Sequence, residues 1–362
     1  MSKPDGLPDY PTDKPLVRGH MHANGPRMHD YLKVICDTIR ERPGTVIFGE
    51  MYMIPIEQMD LSIAPHRGEM DMTILFEHVF IDQNDDGVQG RYSVKPFDLH
   101  NLKTAFHLWY SNIKEGWISL YWCNHDQPRI VSRWGDEGEF WEVSAKALGM
   151  TISFMRGTPF IYQGEELGMT GWKFNYDQAN DLEFFGFYKK LVTDLKLQTH
   201  DQFMEASHKI ARDTARTPVH WTAGENAGFT RGKPWIGMCG NHEKINAEAQ
   251  TKDPHSIFSF YKKIIKTRKS ESLAIYGEIR FILDSDDDLL GYERFDSKSE
   301  NSAEKLVFLA NFSRHSKTLK TKEIDPSAKY EVVLCNYDDY SFNAENIEIR
   351  PWLAVLLRCT KA

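Results

Sequence analysis

Short apolar runs alternate with amphipathic stretches along the first 165 residues. Four such runs, at residues 44–50, 72–76, 117–123 and 159–162, show no strict apolar–polar alternation. Runs of this kind are typical of parallel strands that are buried on both faces. Between most of them, apolar residues recur at helical spacing. The first helix is predicted just after Pro26, with an apolar stripe formed by Met28, Leu32, Ile35 and Ile39. Strand–helix alternation predicts a parallel α/β architecture.

Polar side chains follow directly after each predicted strand. Glu50 ends the first run, and Glu77 and His78 follow the second. Asn124, His125 and Asp126 follow the third, and residues 163–166 follow the fourth. In a (β/α)₈ barrel the active site is built at the carboxyl ends of the strands. Because we count four strand–helix units, the pattern predicts half of such a barrel.

The pattern changes twice in the second half of the chain. Residues 170–250 are rich in Gly, Trp, Asn and Thr, and we predict a long irregular loop subdomain there. Asp253 and Pro254 then open a helix. From about residue 275, strands at short spacing predict an antiparallel β domain. We place the strands at 279–283, 289–295, 306–312, 330–334 and 347–357. The predicted domains are therefore 1–274 and 275–362, and Trp352 with residues 353–357 should belong to the core of the second.

Composition and charge exclude several classes of protein. The net charge is −8, with 52 acidic and 44 basic residues interspersed, so no basic surface for nucleic acid is indicated. No run reaches the roughly 18 apolar residues of a membrane span, and the first residues lack a secretory apolar segment. The five cysteines are odd in number and show no CxxC spacing, which indicates reduced thiols, no zinc site and a cytoplasmic protein.

Several motifs resemble those of the α-amylase superfamily, glycoside hydrolase family 13. The residues Ile47, Phe48, Gly49 and Glu50 match the motif of the family's fifth barrel strand, and Asn124, His125 and Asp126 match that of the seventh. Further stretches are similar to oligo-1,6-glucosidases; they are residues 6–9, 24–26, 119–122, 124–129, 157–159, 162–170 and 212–218. The resemblance covers essentially the whole chain. It implies strands 5–8 of a TIM-type barrel followed by an antiparallel β domain.

The resemblance also implies roles for five residues. Glu50 would be the catalytic acid/base, and Asp126 the carboxylate that binds ring hydroxyls at the transition state. Burial and nearby carboxylates should raise the pKa of Glu50. His125 would bind the same sugar, Arg212 would close the pocket around the terminal glucose, and Arg129 would contact the leaving sugar.

Each of these residues also has a structural interpretation. Glu50 and Asp126 could cap helices, His125 could be a structural histidine, and Arg212 could form a structural ion pair. Glu165 and Glu166 are interpreted as scaffold. The sequence Asp82-x-Asn84-x-Asp86-Gly87 matches the first half of a calcium loop. However, Ser93 stands where a glutamate is required, so we interpret it as a polar turn.

The family's nucleophile is the aspartate of a Gly-x-Arg-x-Asp motif, which these 362 residues do not contain; Gly90-Arg91-Tyr92 and Arg294-Phe295-Asp296 fail to match it. We therefore expect strands 1–4, the family's calcium loop and the acidic partner of Arg212 to be absent, and no metal or cofactor in the chain.

Two hypotheses follow. In the first, the chain is the larger part of a retaining α-glucosidase for short α-glucosides, isomalto-oligosaccharides above all, and a separate N-terminal half of the barrel is its partner. It would be inactive alone. In the second, it is a non-catalytic remnant or sugar-binding fragment. For the first hypothesis, α-1,4-glucosidase, dextran glucosidase and trehalose-6-phosphate hydrolase stay open as alternative specificities.

Overall fold

A computed structural model describes residue 25 and residues 27–51, 54–84, 88–297, 304–325, 328–343 and 345–361. The described residues form two compact units. The first contains the described residues up to His78 together with Thr104–Leu120, and the second contains Val79–Lys103 and the chain from Tyr121 onward. No helix in these described ranges has the length and apolar composition needed to cross a bilayer.

The first unit contains three parallel strands, which confirms the first three predicted strands. They are β1 (Phe48–Glu50), β2 (Met72–Ile74) and β3 (Ile118–Leu120), and Thr73 lies opposite both Gly49 and Ile118. The helices of this unit are α1 (Met28–Arg40), α2 (Ile56–Ile63) and α3 (Leu99–Asn112), the last of which begins in the second unit. A one-turn helix, Pro65–Arg67, follows α2.

Helix α1 is confirmed, but its predicted apolar stripe does not enter the core of the described part of the chain. Ile35 and Ile39 are exposed, as are Tyr31 and Val34, while Cys36 is buried. Val46 and Phe48 are also exposed. The first unit therefore presents apolar side chains that an amphipathic helix and a barrel strand normally bury.

The second unit contains the short strand β4 (Thr158–Pro159) and a series of helices. Helix α5 (Trp141–Ser153) is buried along its last ten residues, and α9 is buried on one face, at Ile257, Phe260, Tyr261 and Ile264. The helices are α4 (Ile130–Trp134), α5, α6 (Leu182–Tyr188), α7 (His200–Ile210), α8 (Ala247–Gln250), α9 (Ile257–Ser270) and α10 (Ser272–Tyr276).

The prediction of an irregular segment at 170–250 is wrong for much of its length. Helices α6 and α7 lie within it. A π-helix at Lys189–Asp194 follows α6 directly and forms the first part of the connection to α7. Thr199 and Gln202 form a reciprocal capping box that starts α7. These helices are held by a buried aromatic cluster that includes Tyr92, Trp172, Phe174, Phe184 and Phe203. One-turn helices occupy Glu77–Phe80, Gly90–Tyr92, Glu165–Leu167, Tyr176–Gln178, Arg212–Thr214 and Glu225–Gly228.

The C-terminal β domain is antiparallel, as predicted. Its five-stranded sheet has the order β5-β6-β7-β11-β9, and a two-stranded sheet pairs β10 with β8. The strands are β5 (Glu278–Ile282), β6 (Leu289–Phe295), β7 (Glu304–Asn311), β8 (Lys317–Lys320), β9 (Ala328–Cys335), β10 (Asn346–Ile349) and β11 (Ala354–Lys361), with helix α11 at Thr321–Ile324.

Two details of this domain differ from the prediction. Strand β8 was not predicted, and the single strand expected at 347–357 is two strands, β10 and β11. The chain turns between them at Pro351 and Trp352, where Trp352 has a φ of 52°. The prediction that Trp352 and residues 353–357 are core is confirmed, because all six are buried.

A buried arginine joins this β domain to the helices that precede it. Arg294 of β6 is 0% exposed. Its guanidinium donates hydrogen bonds to five backbone carbonyls at distances between 2.5 and 3.3 Å. The acceptors are Phe154, Ala274, Ile275, Gly277 and Glu278. One side chain therefore satisfies carbonyls at the end of α5, in and after α10, and at the start of β5.

Candidate active site

A tight turn fixes the backbone of Asp126. The side-chain oxygen of Asn124 accepts a hydrogen bond from the Asp126 amide at 2.7 Å, and the Gln127 amide donates to the Asn124 carbonyl at 3.3 Å. Asparagine favours such turns because its side chain can bond the backbone two residues further on. The Arg91 guanidinium adds a hydrogen bond to the Asp126 carbonyl at 2.9 Å.

The carboxylate of Asp126 is half-buried among cationic side chains. Its Oδ1 lies 2.5 Å from Nη2 of Arg216 and 3.6 Å from Nη1 of Arg212. Arg216 also donates from Nε to the His125 carbonyl at 2.7 Å, so it holds the carboxylate and the adjacent backbone together. The ring of His125 is exposed, with Nε2 3.7 Å from Oδ2 of Asp126. Predicted site residues His125, Asp126 and Arg212 therefore lie together in the second unit.

Arg212 forms a bidentate ion pair with a buried carboxylate. Its Nε and Nη2 atoms donate to the two oxygens of Asp181 at 2.6 and 2.5 Å, and Glu183 lies 3.5 Å away. The hydrogen bonds that Arg212 donates to Asp181 raise the pKa of Arg212. Burial alone would raise the pKa of Asp181, but donation from Arg212 and from the Glu183 amide gives a net lowering.

Arg212 therefore has an acidic partner within this chain, Asp181, in addition to the family's partner that was expected to be absent. Asp181 was overlooked because its segment was interpreted as an irregular loop, whereas it is the N-cap of α6. Arg216 lies inside the stretch 212–218, which resembles oligo-1,6-glucosidases. However, only the fold reveals that Arg216 is the ion-pair partner nearest to Asp126. The structural interpretation of Arg212 as an ion pair and its proposed role in closing a sugar pocket are compatible, because the side chain stays partly exposed.

Glu50 ends strand β1 in the first unit, and its side chain is exposed. Gly49, which precedes it, packs against the flexible end of Met70, and a Cβ atom on Gly49 would lie 2.3 Å from the Met70 sulfur and displace it. Thr73 donates to the Gly49 carbonyl at 3.2 Å and fixes the strand further. The backbone of Glu50 is thus fixed by its neighbours and its side chain is exposed to solvent. The acid/base role of Glu50 stays a prediction.

Arg129 differs from the other four predicted residues in being only 1% exposed. It donates to the Gln163 carbonyl at 2.9 Å and lies over the Tyr162 ring at 5.6 Å. In this arrangement the guanidinium is covered by scaffold, so its predicted contact with a sugar would require these groups to move.

Glu165 supports the interpretation of this segment as scaffold. The Tyr261 hydroxyl donates to one of its oxygens at 3.0 Å and the Cys123 thiol to the other at 3.3 Å. Burial raises the pKa of Glu165 from 4.5 to about 7. Neighbouring Glu166 accepts a hydrogen bond from the Gly164 amide at 2.9 Å, and burial raises its pKa also. Neither carboxyl group belongs to the cluster around Asp126.

This burial predicts that stability depends on pH through Glu165. Between pH 4.5 and about 7 the unfolded chain releases this proton while the folded chain keeps it. Stability should therefore fall as the pH rises through this interval and be level above it. A Glu165→Gln variant keeps an oxygen acceptor for Tyr261 but has no titrating proton. Its free energy of unfolding should therefore equal that of the original chain at pH 4 and exceed it at pH 8 by up to about 3 kcal/mol. Urea denaturation across pH measures this, with exposed Glu139→Gln as control. Parallel profiles for the chain and Glu165→Gln would contradict it.

The start of the calcium-like motif is occupied by protein groups. Asp82 is buried and accepts from Arg133 at 2.6 and 2.7 Å and from the Trp134 indole at 2.8 Å. Residues 85–87 of the motif lie outside the described residues. Within the part of the chain that the structure describes, no group of three His, Cys, Asp or Glu side chains could hold a metal ion.

Similarity to a known protein family shows to which family this chain belongs. Residues 1–277 match the alpha-amylase family, described as alpha amylase, catalytic domain. This chain belongs to the α-amylase family. Its fold is accordingly the TIM barrel with a C-terminal β domain that structures of this family share.

Individual relatives of this α-amylase family member are glycoside hydrolases. It is 36% identical to an oligo-1,6-glucosidase from Bacillus cereus over 99% of this chain and 63% of the relative. It is also 36% identical to a trehalose-6-phosphate hydrolase from Bacillus subtilis, over 94% of this chain and 60% of the relative. The crystal structure of the Bacillus licheniformis trehalose-6-phosphate hydrolase superimposes with a TM-score of 0.86 at 33% identity, covering 94% of this chain and 61% of that one. The chain thus spans about three-fifths of the length of these relatives.

Proposed function

We propose that this chain supplies the acid/base and the sugar-binding carboxylate of a retaining α-glucosidase that acts on short α-glucosides, isomalto-oligosaccharides above all. The observation that carries the proposal is the cluster in which Arg216 and Arg212 hold Asp126 beside exposed His125. The identity to an oligo-1,6-glucosidase along 99% of the chain supports the same substrate class.

The reaction is a double displacement. A carboxylate nucleophile attacks the anomeric carbon, the bond to the glycosidic oxygen breaks, and Glu50 donates a proton to that oxygen. Water then attacks the same carbon, Glu50 takes its proton, and the nucleophile is released. Asp126 accepts hydrogen bonds from ring hydroxyls of the distorted glucose, and Arg212 and Arg216 compensate its charge and fix its position. No metal or other cofactor is required by these steps.

In this proposal the nucleophile comes from an N-terminal half of the barrel that is not among these 362 residues. The 362 residues contain no Gly-x-Arg-x-Asp motif, and the relatives are longer than this chain. The exposed apolar side chains of α1 and of Val46 and Phe48 support the presence of a covering partner. Five free thiols support a cytoplasmic setting.

The test is reconstitution of activity. We expect the purified chain to hydrolyse no isomaltose, because a double displacement has no route without a nucleophile. The chain is then mixed or co-expressed with the N-terminal part of the Bacillus cereus oligo-1,6-glucosidase that it does not match, and hydrolysis should appear. The control mixture carries asparagine in place of that half's aspartate nucleophile and should be inactive.

The outcomes separate the hypotheses. Hydrolysis by the chain alone would overturn the proposal that the nucleophile lies elsewhere. An inactive mixture that still binds isomaltose would favour the non-catalytic sugar-binding protein. A second substrate candidate, trehalose 6-phosphate, is supported by the 36% identity to a trehalose-6-phosphate hydrolase, which equals the identity to the oligo-1,6-glucosidase. Assaying isomaltose, maltose and trehalose 6-phosphate in parallel decides between these specificities.

A further inference from the structure

Arg91 connects the two segments of the chain that carry the cluster around Asp126. Its Nη2 atom donates hydrogen bonds to the Asp126 carbonyl at 2.9 Å and to the Ile210 carbonyl at 3.1 Å. Ile210 ends α7 and stands two residues before Arg212. The carboxylate of Asp126 and the guanidinium of Arg212 lie 3.6 Å apart. One nitrogen atom of Arg91 therefore joins the backbone segments that bear the two members of this ion pair.

The same guanidinium is linked to Arg212 through a side chain as well. Nη1 of Arg91 lies 3.3 Å from Oε1 of Glu183, and Oε2 of Glu183 lies 3.5 Å from Nη2 of Arg212. The carboxylate of Glu183 thus stands between two arginines and offsets the repulsion between their charges. Arg91 reaches Arg212 along two routes, through the carboxylate of Glu183 and through the backbone at Ile210.

The position of Arg91 is itself fixed by its neighbours in sequence. The ring of Tyr92 is buried and stacks on the ring of Phe203 in α7, with centroids 4.7 Å apart. Gly90 has a φ of 56°, in the left-handed region that favours glycine, and a Cβ atom there would lie 3.1 Å from the Phe187 ring. The side chain of Arg91 is only 15% exposed. Its guanidinium is therefore a fixed point against which the two carbonyls are held.

The distance that Arg91 controls matters for the proposed reaction. Asp126 accepts hydrogen bonds from ring hydroxyls there, and a displacement of about 1 Å at a reacting site can cost about 100-fold in rate. We propose that Arg91 is a positioning residue, which sets the spacing between Asp126 and Arg212 and so keeps the Asp126 carboxylate where it binds the ring hydroxyls. Arg91 acts through these two residues and needs no contact with the sugar. This inference rests on the proposed function.

A positioning role and a purely structural role have different kinetic signatures. If Arg91 only stabilised the fold, its loss would lower the folded fraction and leave kcat and KM of the folded molecules unchanged. If it positions Asp126, whose hydrogen bonds strengthen at the transition state, kcat should fall by a larger factor than KM rises. The loss should be similar for isomaltose and for a nitrophenyl glucoside, because both substrates need their ring hydroxyls held whatever the leaving group.

The first test uses the chain reconstituted with the N-terminal half. Arg91→Met keeps much of the side-chain length without a donor, and its kcat should fall about 10–100-fold with both substrates. Arg91→Lys keeps an ammonium group that can donate to both carbonyls, so it should recover most of that loss. Arg231→Met replaces an exposed arginine of the same unit and should leave kcat and KM unchanged. Near-ultraviolet circular dichroism gives the folded fraction by which each rate is corrected.

The second test uses the full chain alone and requires no turnover. The Asp126 amide donates to the Asn124 side chain at 2.7 Å, so its hydrogen exchange reports on the turn that Arg91 holds. Exchange measured by mass spectrometry over residues 124–129 should be about two- to tenfold faster in Arg91→Met, since one hydrogen bond to this turn is lost. Arg91→Lys and Arg231→Met should exchange at nearly the original rate.

Two results would overturn the inference. One is unchanged exchange over residues 124–129 in Arg91→Met, and the other is a reconstituted Arg91→Met enzyme whose kcat and KM per folded molecule equal those of the original. If the original mixture is itself inactive, the proposed function fails, and the exchange rates alone decide whether Arg91 holds Asp126. If the mixture is active and Arg91→Met is equally active, the proposed function stands and this inference fails.

Discussion

Replacing Arg294 with methionine is expected to lower the free energy of unfolding by about 3–5 kcal/mol. The variant keeps most of the apolar length of the side chain but loses all the donors that Arg294 gives to five carbonyls, of which the Ala274 carbonyl keeps a second donor in Arg268 at 2.9 Å. A buried polar group left without a partner costs about 1–3 kcal/mol, and local relaxation recovers part of the sum. Equilibrium urea denaturation followed by tryptophan fluorescence measures the loss.

The matched control is Arg280→Met on the neighbouring strand β5. Arg280 is largely exposed and pairs with Glu293, which keeps a second partner in Lys305 at 2.6 Å. The carboxylate of Glu293 is buried but keeps the Lys305 ammonium, so no buried charge is left unpaired and this variant should lose clearly less stability than Arg294→Met. If the two variants unfold at the same urea concentration, the carbonyl network of Arg294 does not contribute as described.

Arg294 also illustrates what could not be predicted from the sequence. In sequence it stands out only within Arg294-Phe295-Asp296, which does not match the nucleophile motif. Its five acceptors come from residues 154, 274, 275, 277 and 278. No local pattern marks a side chain whose partners are backbone carbonyls brought together by tertiary structure.

The predictable parts of the fold are those governed by local pattern. Uninterrupted apolar runs located β1, β2 and β3, and short spacing located most strands of the C-terminal domain. Helices α6 and α7 were missed because their sequences mix aromatic and polar residues and depend on a shared aromatic cluster. The capping box of Thr199 and Gln202 was a local signal that could have located α7.

The candidate site divides in the same way. Resemblance to a family singled out His125, Asp126 and Arg212, each within a short local motif, and the structure brings the three side chains together. Asp181 lies 31 residues before Arg212 and is recognisable as its partner only once α6 is formed. Arg216 forms a shorter ion pair with Asp126 than Arg212 does. The two arginines are four residues apart, so only the side-chain geometry shows which of them lies nearer to the carboxylate.

Replacing Glu50 with glutamine is expected to have the largest effect on activity. In the chain reconstituted with an N-terminal half, hydrolysis of isomaltose should fall about 10²–10⁴-fold, because a glutamine cannot protonate the leaving sugar oxygen. A nitrophenyl glucoside has a better leaving group that needs little protonation, so its first step should suffer much less. The backbone should be unaffected, since β1 is fixed by Gly49 and Thr73. Steady-state rates with both substrates, and the burst of nitrophenol in the first turnover, provide the measurement.

The contrast between the two substrates makes the Glu50 prediction specific to proton transfer. A merely structural role would reduce both reactions equally, and equal, small losses would remove Glu50 from the acid/base role. Glu57→Gln is the matched control, because Glu57 is an exposed glutamate of the same unit, in the first turn of α2. It should leave both rates unchanged.

In the Glu50 variant the second step also lacks its base, so the covalent intermediate should accumulate with the nitrophenyl substrate. A small anionic nucleophile such as azide, which needs no base, should then speed its release and give a glucosyl azide with retained configuration. Failure of azide to change the rate, with no burst detected, would show that Glu50 does not act on either proton.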